Sequence, residues 1–406
     1  MRSSIFLPFF LFIGLFSLST QFSVAQSSNE ELNDRLNGLL ATARMPGFSA
    51  SIQGKDQILY QYAGGVLNES TLAAYNLETL QLQPALNPLI LTIATLKAVE
   101  LGIISLDDEI NTYLPMKVVH PKYSKNPILV RHLLSHTSGI LDLPASWFKN
   151  YIFNAEFPTT DVVFETDGRW LKRVNFNSRS SMNSLLSSTL TPKGAYYTRS
   201  TFNGSKPGES YSYSLMGSAL LGFVIESASG MFYDQFTQDY IFDPLQMKRS
   251  TWATRFMDDT NRSAVHVGSD RMILPDYIQV LYPASGFVSS MKDASILINE
   301  TLSGLSGRGK VLSPDSWVLF KQLQQKYLDA HIPDLNPKPA AAVEALSSDR
   351  LTTIYAQNYG ATSVLLIDSG ENKAWYFTAN TSVSHLTRGD YFINQILSVL
   401  LAHRVD

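Results

Sequence analysis

The stretch PALNPLILTIATLKAVELGIISLDDEINTYLP, residues Pro84 to Pro115, sets the pattern of the chain. Its spacing predicts a helix over Leu89 to Leu101: Asn87 stands where an N-cap belongs, Pro88 at the first helical position, and Gly102 just past the end. A turn and a second short helix follow. Asp107, Asp108 and Glu109 form an acidic cluster between them, whose plain reading is capping and solvation rather than metal binding.

Working outward, both ends of the chain carry β-rich runs. Upstream, 30–44 places leucines at 32, 36, 39 and 40, a helical stripe closed by Pro46 and Gly47. FSASIQGKDQILYQYAGGVLN then reads as a hairpin around Gly54, Lys55 and Asp56. Downstream, Met216 to Ser229 predicts a long helix with Leu220, Leu221, Val224, Ile225 and Ala228 on one face and Gly230 at its end. SVLLID and AWYFTAN form a second hairpin across 369–372, and YFINQILSVLLAHR closes the chain as an amphipathic helix. Hairpins at both ends of a mostly helical middle predict an α+β fold with one sheet assembled from distant segments. The Ser-, Asn- and Thr-rich stretch 175–205 and the segment HIPDLNPKPAAAVEALSS read as surface loops.

With 406 residues, 45 % hydrophobic and 17 % charged, the chain can bury a large core. Thirty-two basic and 35 acidic residues, net −3, provide no basic stripe for nucleic acid and no polybasic membrane anchor. Small molecules, peptides or proteins are the expected partners. Arg2, the apolar run 5–16 and Ser23-Val24-Ala25 have the layout of a secretory signal peptide over 1–25. The expected mature chain, 26–406, is therefore secreted or periplasmic and has no membrane anchor after cleavage. The absence of cysteine rules out a disulfide framework and a thiol nucleophile.

NPILVRHLLSHTSGILDLP, Asn126 to Pro144, resembles the segment that marks the β-lactamase-related serine hydrolases: class C β-lactamases, DD-peptidases and similar esterases. LKAVELGIISLDDEINTYLP is similar to the family's helix after the nucleophile. KPGESYSYSLMGSALLGFVIESASG, PASGFVSSMKDAS, GKVLSPDS and the two terminal hairpins resemble further blocks, all in family order. The resemblance implies a central antiparallel sheet built from N- and C-terminal segments, with terminal helices packed on it. It also implies a mostly helical subdomain, about 85 to 280, inserted between the sheet segments. Ser135, His136 and Ser138 are then structural, and no cofactor or metal is implied.

The family's reaction needs a serine at a helix start with a lysine three residues on, so that both lie on one face, one turn apart. Counting back from Leu106, those positions hold Ala85 and Pro88. The matches Ser146 to Lys149 and Ser289 to Lys292 fall in the wrong blocks, at the number chance predicts. The Tyr-x-Asn motif becomes Tyr213-Ser214-Leu215: it keeps a phenol that could shuttle a proton and loses the amide. The Lys- or His-containing motif falls on Ile354-Tyr355-Ala356, without a cation; His266-Val267-Gly268 imitates it by coincidence. Tyr211, Ser214, Tyr355, Asn358 and Tyr359 are the expected cleft lining, while Tyr196 and Tyr197 either line it or anchor loops. The expectation is a relative that has lost serine-hydrolase activity and binds a ligand or partner. The alternative is an active hydrolase, esterase or acyltransferase rebuilt around Tyr213, Ser214 or a serine of 175–205.

Overall fold

Two hairpins from opposite ends of the chain meet in one six-stranded sheet. The computed structural model describes residues 29–155, 180–267, 272–329, 351–382 and 389–403, apart from positions 44, 55, 144, 145 and 147. The sheet strands are β1 (Gly47–Gly54), β2 (Gln57–Asn68), β3 (Ala73–Ala74), β4 (Leu351–Asn358), β5 (Ala361–Asp368) and β6 (Lys373–Ala379). Their order across the sheet is β4-β5-β6-β1-β2-β3, and every neighbouring pair is antiparallel. β1 and β6 join the two ends, with Phe48 opposite Ala379 and Ile52 opposite Trp375.

Alternation along β1 sorts its side chains between two layers. Phe48, Ala50 and Ile52 pack with Leu32 and Leu36 of α1 (29–43) and with Ile393, Ile396, Leu397 and Leu400 of the closing helix Gly389–Ala402. Ser49, Ser51 and Gln53 point the other way and are also fully buried. That inner face is a polar seam: Gln61 Nε2 donates to Ser295 Oγ at 2.8 Å, and Ser49 Oγ lies 3.2 Å from the Tyr75 hydroxyl. Such groups are tolerated inside only when paired.

Across the seam lies the helical layer and its larger core. The stretch that sets the pattern begins with a 3-10 turn, Pro84–Leu86, and continues as α2 (Asn87–Glu100). The expected cap is corrected: Leu86 is the N-cap and makes no side-chain bond. Asn87 turns inward, because the 3-10 turn already occupies the helix entrance and leaves interior carbonyls within its reach. Its Nδ2 donates to the carbonyls of Pro84 at 3.0 Å and Gln83 at 3.3 Å, and its Oδ1 accepts from Phe287 N at 3.0 Å. Gly102 does end the helix in the left-handed region, φ +67°.

The second predicted long helix spans Leu215–Ser229 (called α4 below), stopped by Gly230 at φ +71°. The stretch 175–205 is not all loop. Residues 180–205 contain α3 (Met182–Leu190), N-capped by Ser181 and burying Met182, Leu185, Leu186 and Leu190. Serine-rich composition masked a helical period there. Two further helices, α5 (Met291–Leu305) and α6 (Pro314–Asp329), pack beside each other. The signal-like residues 1–25 and the loop-like 331–348 lie outside the described residues. Among those described, no single helix is long and apolar enough to cross a membrane.

Candidate functional site

The turn at 83–87 stands where the nucleophile was expected, and it is pinned from three sides. Gln83 N donates to Phe287 O at 2.9 Å, its Nε2 donates to Ser289 O at 2.9 Å, and its Oε1 accepts from the Tyr376 hydroxyl at 2.6 Å. Asn87 adds the bond from Phe287 N. Between them, Ala85 N–H donates to Ser363 Oγ of β5 at 2.7 Å. Ala85 itself is 0 % exposed. Among the described residues every one of these hydrogen-bonding partners is uncharged. A free N–H at a helix entrance favours developing negative charge; here that donor is already used by a side chain.

The other positions that the sequence reading assigned to the motifs gather around the same core. Leu215, Ile354 and Ala356 pack against the hydrophobic cluster that contains Ala85, and α2 packs on α4. Pro88 is half-buried, and its carbonyl accepts from Thr92 Oγ1 at 2.8 Å. Tyr355 lies on the opposite face of β4, against the cluster of the terminal helices, as strand alternation requires. The structure therefore separates it from Ile354 and Ala356.

Asn358 and Tyr359 belong to a closed aromatic knot. Asn358 Oδ1 accepts from the Tyr151 hydroxyl at 2.9 Å, its Nδ2 donates to Ser285 O at 3.1 Å, and the Tyr359 ring meets Tyr151 edge-on at 5.1 Å. His266 is fully buried, with Nδ1 3.1 Å from Asn380 O. Of the two chance serine-lysine spacings, Ser289 is fully buried and bonds Ser250 Oγ at 2.8 Å, while Lys292 turns out to Glu78. Ser146 donates to Leu143 O at 3.0 Å. Asp107 pairs with Arg131 at 2.5 Å, and Asp108 accepts from Ser105 N at 3.2 Å, so both aspartates of the acidic cluster are spent on local structure.

Tyr213, Ser214 and Leu215 start α4, and the marker segment holds that start in place. Asp142 accepts from Ser214 Oγ at 3.0 Å, Leu215 N at 2.8 Å and Met216 N at 2.9 Å. Burial raises its carboxyl above the ordinary value, and these three bonds oppose that rise. Ser214 is 1 % exposed and its Oγ also accepts from Gly217 N at 2.9 Å, so it is a helix cap. His136 Nδ1 accepts from Ser214 N at 3.3 Å, and its ring lies 4.5 Å from Tyr213 and 5.9 Å from Tyr211. Burial pushes the imidazole down to about 4. Tyr213 keeps 46 % of its surface open. Desolvation on its inner side, then the Asp142 carboxylate and Tyr211, raises its phenol above the ordinary value. Tyr196 and Tyr197 pack against the main core.

Sequence reading missed Ser363 and Asp142. Ser363 reaches Ala85 across 278 residues, a separation at which no local pattern signals the contact. Asp142 stood inside the quoted marker segment, but its partners come from 72 to 74 residues away.

Comparison with known proteins agrees with this fold. The chain is 26 % identical over 267 residues to penicillin-binding protein 4* of Bacillus subtilis, a match covering 64 % of this chain and 47 % of that protein. It spans about half the length of the curated relatives it matches. The octameric penicillin-binding protein homologue from Pyrococcus abyssi superposes with a TM-score of 0.65 at 19 % identity, over 92 % of this chain and 77 % of that one. A class C β-lactamase superposes with a TM-score of 0.61 at 14 % identity, over 92 % and 96 %. At those identities the likeness speaks for the fold. The sequence pattern of the Beta-lactamase family matches residues 32–376, nearly the whole of the sheet and helical layers together, and the chain belongs to that family.

Proposed function

We propose that this member of the β-lactamase family no longer performs acyl transfer and acts by holding a ligand or partner. One observation carries the reading. The position of the nucleophile is Ala85, sealed from solvent, with its N–H already bonded to Ser363 Oγ. The cationic positions hold Pro88 and the 354–356 triplet, so neither an activated oxygen nor a charge to activate it is supplied. Loss of a serine nucleophile alone costs on the order of a million-fold in turnover in a comparable catalytic unit. The name of the Bacillus relative includes penicillin binding; a molecule of that class would be bound by this chain without acylating it. The signal-like N-terminus supports action outside the cytoplasm, in the periplasm or the medium.

The test is incubation of the purified chain with nitrocefin, p-nitrophenyl esters and a fluorophosphonate, followed by intact mass measurement. The expected result is no turnover and no mass increase. A stoichiometric adduct that disappears on mutation of one serine overturns the proposal.

A further inference from the structure

A cavity of about 270 Å³ lies beyond the end of β2, and none of residues 83–87 lines it. Its walls are fixed by backbone and charge. Leu80 N donates to Asn261 O at 2.9 Å and Ser263 N to Leu80 O at 2.8 Å, which holds Arg262 between them. The Arg262 guanidinium pairs through Nη1 with Asp276. Its Nη2 and Nε have no protein partner among the described residues. Asp259 forms another wall, held by Arg249 Nη1 at 2.8 Å and by Asn261 N at 2.8 Å. Asn68 Oδ1 accepts from Ser70 N at 2.8 Å and Thr71 N at 3.3 Å, so its amide is oriented while Nδ2 has no hydrogen-bond partner among the described residues. Phe256, Met257 and Leu274 supply an apolar side.

This combination selects a ligand by chemistry. Each carboxylate already has its own guanidinium, so the region is charge-balanced, and a charged ligand would meet both signs at once. The spare capacity is mixed: donors on Arg262 and Asn68, acceptors on Asp259 and Asp276. All of it is preset by ion pairs and a turn, and it sits beside an aromatic ring. Hydroxyl groups, which donate and accept, match such a lining, and a C–H face matches Phe256. The volume is near the lower end of small-molecule sites, roughly 300 Å³. We propose that this cavity is a binding site for a neutral polyhydroxylated ligand the size of one or two sugar rings. It shares no residue with the 83–87 turn, so it stands apart from the proposed loss of catalysis.

Saturation-transfer NMR on the purified chain tests this, with glucose, galactose, mannose, N-acetylglucosamine and their disaccharides as probes, and zwitterionic leucine and anionic acetate as competitors. Arg262 stays intact because its ion pair is partly buried; Asn68→Ala and Phe256→Ala are the variants. The expected result is transfer to the ring protons of at least one sugar, weakened roughly ten-fold in each variant, the equivalent of about one hydrogen bond. Asn68→Ala should also lower the melting temperature, since Ser70 N and Thr71 N lose their acceptor, so binding is compared at a temperature where both variants are fully folded. The proposal is overturned if no sugar of the panel receives transfer, if both variants bind as the parent does, or if leucine or acetate displaces the sugar.

Discussion

The N–H of Ala85 and the Oγ of Ser363 are 2.7 Å apart, joining the turn before α2 to the strand that runs beneath it. The contact both fastens the turn and occupies a backbone donor at the helix entrance. Replacing Ser363 with alanine leaves a buried N–H without a partner, at a cost of about 1 to 3 kcal/mol. Urea denaturation should show a lower midpoint with an unchanged slope. No hydrolytic activity should appear in the variant, because Ala85 and Pro88 still supply neither nucleophile nor cation; activity there would overturn the proposed loss of catalysis.

His136 makes stability depend on mild acid. Buried as the neutral imidazole, it titrates near 4 in the folded chain against an ordinary value of 6.5. Between those values the unfolded chain binds the extra proton. Stability is therefore full above about pH 6.5 and falls as pH drops toward 4, by up to about 3 kcal/mol. His136 has φ +50°, a conformation that asparagine tolerates. His136→Asn should therefore remove this part of the slope while keeping the backbone. Unfolding free energies at pH 7.5, 5.5 and 4.5 on both proteins measure the difference, and parallel curves would contradict the assignment.

A second acid step comes from Glu100. Desolvation opposes its charge, but hydrogen bonds from Lys97, Ser316 and Ser313 overcome it and hold the carboxyl down to about 2. Lys97 lies at 2.7 Å and Ser313 N at 2.6 Å, so the residue ties the end of α2 to the start of α6. This contribution is present above the ordinary carboxylate value and is lost as pH falls through 4.5 toward 2. Glu100→Gln should cost about 2 to 3 kcal/mol at pH 7 and less than about 0.5 kcal/mol at pH 2. Equal destabilisation at both pH values would rule out a charge effect.

Two helical glycines should respond to alanine with opposite signs. A Cβ on Gly304 would lie 2.1 Å from Trp317 Cε2, inside a fully packed site, whereas one on Gly38 meets nothing within 4 Å. Gly304→Ala should lower the melting temperature, since overpacking costs about 1 to 3 kcal/mol and exceeds the gain in helix propensity. Gly38→Ala should raise it through a gain of about 0.5 to 1 kcal/mol. Calorimetry on the pair decides, and a stabilised Gly304→Ala would mean that Trp317 is free to move.

Much of the fold was legible because its signals are local. FSASIQG alternates Phe48, Ala50 and Ile52 with Ser49, Ser51 and Gln53, and the two faces went to the two layers that period 2 implies. Gly102 and Gly230 marked real helix ends. What stayed hidden depends on distant partners. Asn87 looks like a cap until Phe287 is seen to donate to it, and Ser214 looks like a spare nucleophile until Asp142 is seen to accept from it. Tyr355 was placed in the cleft by adjacency in sequence, whereas a strand sends neighbours to opposite sides.

The pairing of β1 with β6 also governs how the protein is born. Gly47 N finds Asn380 Oδ1 at 2.8 Å only after 333 further residues have been polymerised, roughly half a minute of ribosome time at about 10 residues per second. Until then β1 has an open edge, so the nascent polypeptide cannot lock shut while it is being made. A message truncated before codon 373 would yield a product that keeps this edge for good and invites aggregation through it.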